Sequence, residues 1–349
     1  MKTTILMDIS ALINFMRNNF LRCAKCVTVL LIMAGFFSCE KQPIFEQPPD
    51  GANQMTMTTK KIGEVVLIMA GSGTMTIDWG DGTIENHTLL EWQSQFPFDP
   101  NIAKNTYRHT FSNANIRTIT IIGDVVILHC QYNELLSLDV NKNTALLHLN
   151  CENNLLTSLD VSNTALEVLF CGFNQLTNLK INSTLRQLSC GPNHLTSLDA
   201  SNTALTNLDA RINQLTSLNV HGSTELTNLV IRDNRLTNLD VSTNTNLFQL
   251  YLVNNQLTSL DVSNNVNLWS LICDKNLLTS LDVSNNVVLR SLSVQHNYFE
   301  IDALNALFKT LHNNNVTNNT VWIHNNSGTN SVTESAVRGW TISKTPAPF

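Results

Sequence analysis

The chain has 349 residues, 43% of them hydrophobic and 14% charged, which is too apolar for a disordered chain and ample for a folded core. A formal charge of −6 and a pI near 5.8 exclude a general nucleic-acid surface, which needs clustered cations to neutralise phosphates.

Arg17, Arg22 and Lys25 precede an apolar run from Val27 to Phe37, followed by Ser38-Cys39. A basic region, a short apolar run and a small residue before a cut make residues 1–38 a signal peptide. The run is too short for a spanning helix, which needs about 20 apolar residues. The cut site Phe36-Phe37-Ser38-Cys39 resembles a bacterial lipobox, with Phe36 where that family usually has Leu. The resemblance implies a lipidated Cys39 as first residue of the mature protein, hence a membrane anchor in the cell envelope, at the outer membrane or cell surface. The alternative is an ordinary secreted protein with Cys39 free, and Met16 is an alternative start. Cys23 and Cys26 form a C-x-x-C, but inside the leader, which argues against redox or zinc chemistry. Residues 39–54 are polar and proline-bearing and read as a tether.

Residues 55–123 form a separate block. Met55-Thr56-Met57 and Val65 to Ile68 predict strands, and a further strand carries Trp79 into a Gly/Asp turn. Tyr107 to Phe111 and Ile116 to Ile122 again alternate or run apolar. This block resembles the PKD-type β-sandwich family on Trp79-Gly80-Asp81-Gly82 and the downstream His109 and Phe111. An insert from Leu89 to Asn105, with Trp92, Phe96 and Phe98, departs from that pattern. The resemblance implies a spacer or protein-contact module. Trp79 reads as core. Asp78 and Asp81 are a calcium candidate that turn formation explains as well.

From residue 124 to 300 one pattern repeats nine times, L-x-x-L-x-C-x-x-N-x-L-T-S-L-D-V-S in its clearest copy from Leu146. Its asparagine recurs at Asn133, Asn154, Asn174, Asn193, Asn213, Asn234, Asn255, Asn276 and Asn297, at intervals of 19 to 21 residues. A fixed period with apolar residues at fixed offsets predicts a solenoid of stacked coils. In each coil L-x-x-L-x-C is an inward-alternating strand, the asparagine turns the chain, and L-T-S-L-D-V returns it. A coil this short has no room for a helix. All shortenings, such as Ile181 to Leu185, fall in one outer turn and leave the core offsets unchanged. Cys130, Cys151, Cys171, Cys190 and Cys273 share their position with Ala210, Ile231, Leu252 and Val294, so they read as small core residues rather than disulfides or zinc ligands. Residues 301–349 predict an α/β cap: a helix from Ile301 to Leu311, a strand at Val321 to Ile323, a short helix from Glu334 to Arg338 and a final strand from Gly339 to Ile342. Trp322 and Trp340 read as cap core.

The N-x-L-T-x-L-D-V-S pattern with cysteine in the strand resembles the cysteine-ladder branch of internalin-type leucine-rich repeats over residues 125–300. The expected fold is mainly β: a curved leucine-rich-repeat solenoid with a parallel sheet on its concave face, a small Ig/PKD-like sandwich before it and the cap behind. The resemblance implies a non-enzymatic binding scaffold on a bacterial surface, often an adhesin, whose partners vary between members. Ligand identity, protein or glycan, stays open. The second reading is a structural spacer of the envelope without a specific ligand.

No G-x-S-x-G, H-E-x-x-H, P-loop or glycine-rich nucleotide turn is present, and no cofactor is expected. His129, His148 and Glu152 fall on adjacent coils but in different columns, which fits solvent-facing residues better than a metal site. The free x positions of the strand are where recognition can differ between coils. There Tyr132, Phe170 and Phe173 group on the first coils, Arg211 and Arg232 stack on neighbouring coils beside Asp209 and Asp233, and Tyr251 follows. These six are the candidate ligand contacts of a chain expected to be a monomer.

Overall fold

The computed structural model describes residues 53–91, 105–313, 319–333 and 336–347. The leader, the tether and Cys39 lie outside them, as do Trp92, Phe96 and Phe98 of the insert. Five antiparallel strands open the described chain: β1 (Gln54–Thr59), β2 (Gly63–Asp78), β3 (Ile84–Thr88), β4 (Thr106–Phe111) and β5 (Arg117–His129). β3 and β4 pair with opposite ends of the long β2, while β5 pairs with both β2 and β1. Period-two alternation accounts for the buried set, Met55 and Met57 on β1, Val65, Leu67, Met69, Met75 and Ile77 on β2, and Ile119 and Ile121 on β5.

Trp79 is fully buried under the turn that follows β2. Asp78 accepts the Gly80 N–H at 2.9 Å and Asp81 accepts the Thr83 N–H at 3.1 Å, so both carboxylates close the turn. Gly80 sits at φ 76°, and a Cβ there would lie 2.4 Å from the Thr118 carbonyl oxygen. His109 stacks on Trp79 at 4.9 Å and bonds the second Asp81 oxygen at 2.8 Å.

β5 runs on without interruption through residue 123 into the first coil, where Ile127, Leu128 and His129 pair in parallel with His148, Leu149 and Asn150. From there one parallel strand per coil follows in fixed register. The central row is His129, Asn150, Phe170, Ser189, Asp209, Val230, Tyr251, Ile272 and Ser293. The return segments pair with one another in two places, Ser158–Asp160 with Asn178–Lys180 and Ser197–Asp199 with Ser217–Asn219, and the first of them, Leu135–Asp139, pairs with β1. One apolar core runs from Met55 to Ile342 and contains the five coil cysteines, all free and buried. Burial pushes the Cys130 thiol up to about 12, which leaves it unreactive.

Polar residues register the coils. Asn154 donates to the carbonyls of Cys151 and of Cys130 in the preceding coil, at 2.9 and 3.0 Å, and accepts the Leu135 N–H at 3.0 Å. The other rungs repeat this. Asn133 has no coil before it, and β2 takes that place: the Val66 N–H and carbonyl pair with its amide at 3.1 and 2.7 Å. A second buried polar row, absent from the sequence expectations, lines the outer turn at Asn143, Thr203, Ser223, Asn244, Asn265 and Asn286. Asn265 there donates to the carbonyls of Val241 and Asn244 in the coil before.

After Asn297 the helix α1 (Ile301–Thr310) replaces the return segment and buries Leu304, Leu307 and Phe308. The repeat then resumes. Strand Asn319–Trp322 pairs with Ser291–Ser293, and Asn326 donates to Val294 and Ile323 as a tenth rung. Val321-x-Ile323-x-x-Asn326 carried this signal, hidden by a 29-residue interval that α1 lengthens. Strand Trp340–Ser343 pairs beyond it. The expected short helix at 334–338 is corrected where it is described: Ala336–Val337 is a strand folded back on Trp340 and Thr341. Arg338 and Gly339, both at positive φ, form a two-residue hairpin turn, which ends any helix.

Candidate ligand-binding face

Alternation sends Leu149 and Cys151 into the core and residues 148, 150 and 152 outward. Side-chain bonds show that outward columns lie side by side. Arg211 Nε reaches Asp209 Oδ2 at 2.7 Å, and Gln295 Nε2 reaches Asp274 Oδ2 at 3.0 Å. The face therefore includes a column left out of the sequence expectations: Ile127, His148, Val168, Gln187, Asn207, Asn228, Gln249, Ser270 and Ser291. Its signal was there, because each member stands one residue before the second Leu of L-x-x-L and two before the central row.

The residue before each ladder asparagine adopts a left-handed conformation, from Tyr132 at φ 61° through Phe173 at 54° and Ile212 at 52° to His296 at 52°. In the fourth coil this place is Pro192, whose ring fixes φ negative, and the Gly191-Pro192 peptide is cis. The bend throws these side chains outward. Tyr132 is 66% exposed, Phe173 57% and Ile212 43%, so Phe173 does not tuck beneath the turn. The column is apolar over much of the first five coils and polar afterwards, at Asp233, Asn254, Lys275 and His296. Left-handed backbone is costly for L-residues, most of all for β-branched Ile212.

The structure brings Tyr132, Phe170 and Phe173 onto the first three coils, with Phe170 half-buried in the central row. Arg211 and Arg232 stand on adjacent coils but serve different acids. Arg211 grips Asp209, whereas Arg232 lies 3.9 Å from Asp233, which also accepts from Asn254 at 2.8 Å. Tyr251 stands apart, in a line with Val230 and Ile272. Among the ionisable groups, burial pushes His129 down to about 4, with His148 adding to the shift, and burial lowers His148 as well. Burial raises the Glu152 carboxyl. At the far end Ile272, Asp274, Ser293 and Gln295 are buried. There Gln295 Oε1 accepts the Ala347 N–H at 3.0 Å, so the C-terminal segment lies against this end of the face. From coil two to coil seven the central row stays half-exposed. Among the described residues no group of three or more His, Cys, Asp or Glu is placed to hold a metal ion.

No family model matches the chain, and no curated protein matches it. Among solved structures, the functional domain of InlJ from Listeria monocytogenes, described as including a cysteine ladder, is 29% identical and covers 62% of this chain and 53% of its own, with a TM-score of 0.48. This chain thus spans about half the length of that domain. An internalin, InlF, from Listeria monocytogenes is 20% identical over 58% of this chain and 74% of its own, with a TM-score of 0.37. A leucine-rich-repeat protein of Leptospira interrogans is 23% identical over 57% and 66%, with a TM-score of 0.33. All three TM-scores are below 0.5, and the solenoid is assigned here from strand register and the asparagine rungs instead.

Proposed function

We propose that this protein is a cell-envelope lipoprotein, anchored through Cys39, that works as a non-enzymatic scaffold and holds a protein ligand on the strand face of an internalin-type solenoid. The observation that carries the reading is the exposed apolar ridge of Tyr132, Phe173 and Ile212, set on left-handed backbone beside half-buried Phe170. Large apolar side chains held in costly conformations at the surface point to a contact surface, because packing gives no return for the strain there. The PKD-like block is read as a spacer that also closes the first coil. Replacing Tyr132, Phe170 and Phe173 together by Ser tests the ridge in a capture experiment from surface extract. A binder loses its partner and keeps its melting temperature. Unchanged capture sinks the ridge and favours the spacer reading. Incorporation of labelled palmitate, lost on Cys39→Ala, tests the anchor.

A further inference from the structure

Coils eight and nine break the pattern of the strand face. On coil eight all three outward places, Ser270, Ile272 and Asp274, are buried, and on coil nine Ser293 and Gln295 are. The same columns are half-exposed or exposed on coils five to seven, from Asn207 to Val253. The buried places form a connected polar set. Gln295 Nε2 donates to Asp274 Oδ2 and to Ser293 Oγ, each at 3.0 Å, and the Gln295 N–H donates to Asp274 Oδ1 at 2.9 Å. The Ser293 hydroxyl donates to that same oxygen. With its amide nitrogen committed twice, the Gln295 side chain keeps one free group, Oε1, and the network fixes its direction. Coils six and seven stack in the same register with Val230, Arg232, Tyr251 and Val253 in these places, so coil stacking does not require the set. Burial of the Asp274 carboxylate is costly unless its bonds are made, and here those bonds hold one acceptor in place.

That acceptor is taken by main chain. Gln295 Oε1 accepts the Ala347 N–H at 3.0 Å. One coil further on, His324 stands in the same column, two residues after Trp322, which is the register partner of Ser293. His324 Nδ1 donates to the Lys344 carbonyl at 2.8 Å. Successive members of one face column therefore hold the segment from Lys344 to Ala347 at both ends, and both hold it by backbone groups. The segment is neither helix nor strand. Its side chains add a Ser343–Thr345 hydroxyl contact at 3.0 Å and a bond from Lys344 Nζ to the Val332 carbonyl. Main-chain groups are common to every peptide, so contacts of this kind give affinity without demanding one sequence.

We propose that the end of the strand face on coils eight to ten is a binding site for a short, non-helical peptide segment of a protein partner, filled in this structure by the chain's own Lys344–Ala347. This rests on the scaffold reading above and names the form in which its partner is presented. Gln295 supplies the acceptor and His324 the donor for the partner's main chain. The half-exposed Tyr251 and Val253 lie one coil before the buried set and receive the rest of a longer segment. The chain's own segment is an internal competitor, present at an effective concentration of about millimolar.

The test is fluorescence anisotropy of a labelled hexapeptide of residues 344–349, titrated with a chain shortened to end at Ser343 and with the full chain. The shortened chain binds it saturably, and the full chain binds it at least ~5-fold more weakly, since its own segment competes. N-methylation at the Ala347 place of the peptide removes the donor and weakens binding to the shortened chain by ~10-fold. With Gln295→Met in the shortened chain the two peptides bind alike, because the acceptor is gone. A second hexapeptide with alanine at the Thr345 and Phe349 places still binds saturably. Where shortening unfolds the cap, full-length Ala347→Pro, which lacks the N–H, takes the shortened chain's place. No saturable binding to either variant, equal binding by the unaltered full chain, or no loss on N-methylation overturns the proposal. Binding confined to the native sequence marks the segment as a dedicated cap and overturns it as well. Peptide failure with capture still lost in the Tyr132/Phe170/Phe173 variant sinks this site alone. Peptide binding as expected, with capture unchanged in that variant, sinks the ridge alone.

Discussion

Ile212 shows what one residue gives up for its place. At φ 52° its branched Cβ crowds the backbone, and with 43% of it exposed the apolar surface is not recovered by packing. Asparagine tolerates this conformation, as Asn153 and Asn254 do in other coils. Ile212→Asn is therefore expected to stabilise the coil by about 1 kcal/mol, read as a higher midpoint in thermal melts. Asp81 gives a pH dependence. The hydrogen bond from His109 is the main cause that holds its acid range down to about 2, against about 3.9 in an unfolded chain. A depressed carboxylate stabilises fully above the unfolded value and loses its contribution as pH falls through the folded one. The N-terminal block should weaken as pH falls from about 4 towards 2, followed by Trp79 fluorescence, and Asp81→Asn should flatten that profile. The sequence showed which side chains stand at these places. It did not show φ, because left-handed backbone is set by the bend into the next coil, and neither Tyr132 nor Ile212 advertises it.

The repeated element owes its stability to polar side chains as much as to leucines. Asn255 donates to Ile231 at 2.8 Å and Leu252 at 3.1 Å and accepts from Leu236 at 3.1 Å. Asn255→Ala leaves those buried main-chain groups unpaired, at on the order of 3 kcal/mol. Asn264, exposed on the outer turn with one bond to Ser242 at 3.2 Å, is the control, and its change to Ala should stay within about 0.5 kcal/mol. Denaturant melts of the two variants separate the roles. The inner row was legible because asparagine holds its place in all nine copies. The outer row was hidden because Asn, Ser and Thr share it: Ser223, Asn244, Asn265 and Asn286 all donate to the preceding coil, so a search for one letter misses a shared function. The tenth rung was hidden by α1, which lengthens one interval without disturbing the strand-to-asparagine offset.

A solenoid leaves an unpaired strand and an unfilled asparagine rung at each end, and here the flanking segments complete both. β2 supplies the Val66 pair to Asn133 and lies beside the first coil's strand, while β1 pairs with the first return strand, β6 (Leu135–Asp139). A chain beginning at residue 124 cuts β5 in its middle and exposes that edge. It is expected to aggregate, while a chain beginning at Asn53 stays monodisperse in light scattering. By itself the sequence determined the period, the inward set of Leu, Cys and Val, the turn asparagines and the place of the free positions, since each follows from local alternation and spacing. Only the tertiary structure decided what those free positions do. How the bend at Phe173 is held and how closely the backbones at Gly172 and Gly191 pack depend on neighbours about 20 residues away along the chain but one strand spacing, about 4.8 Å, away in space.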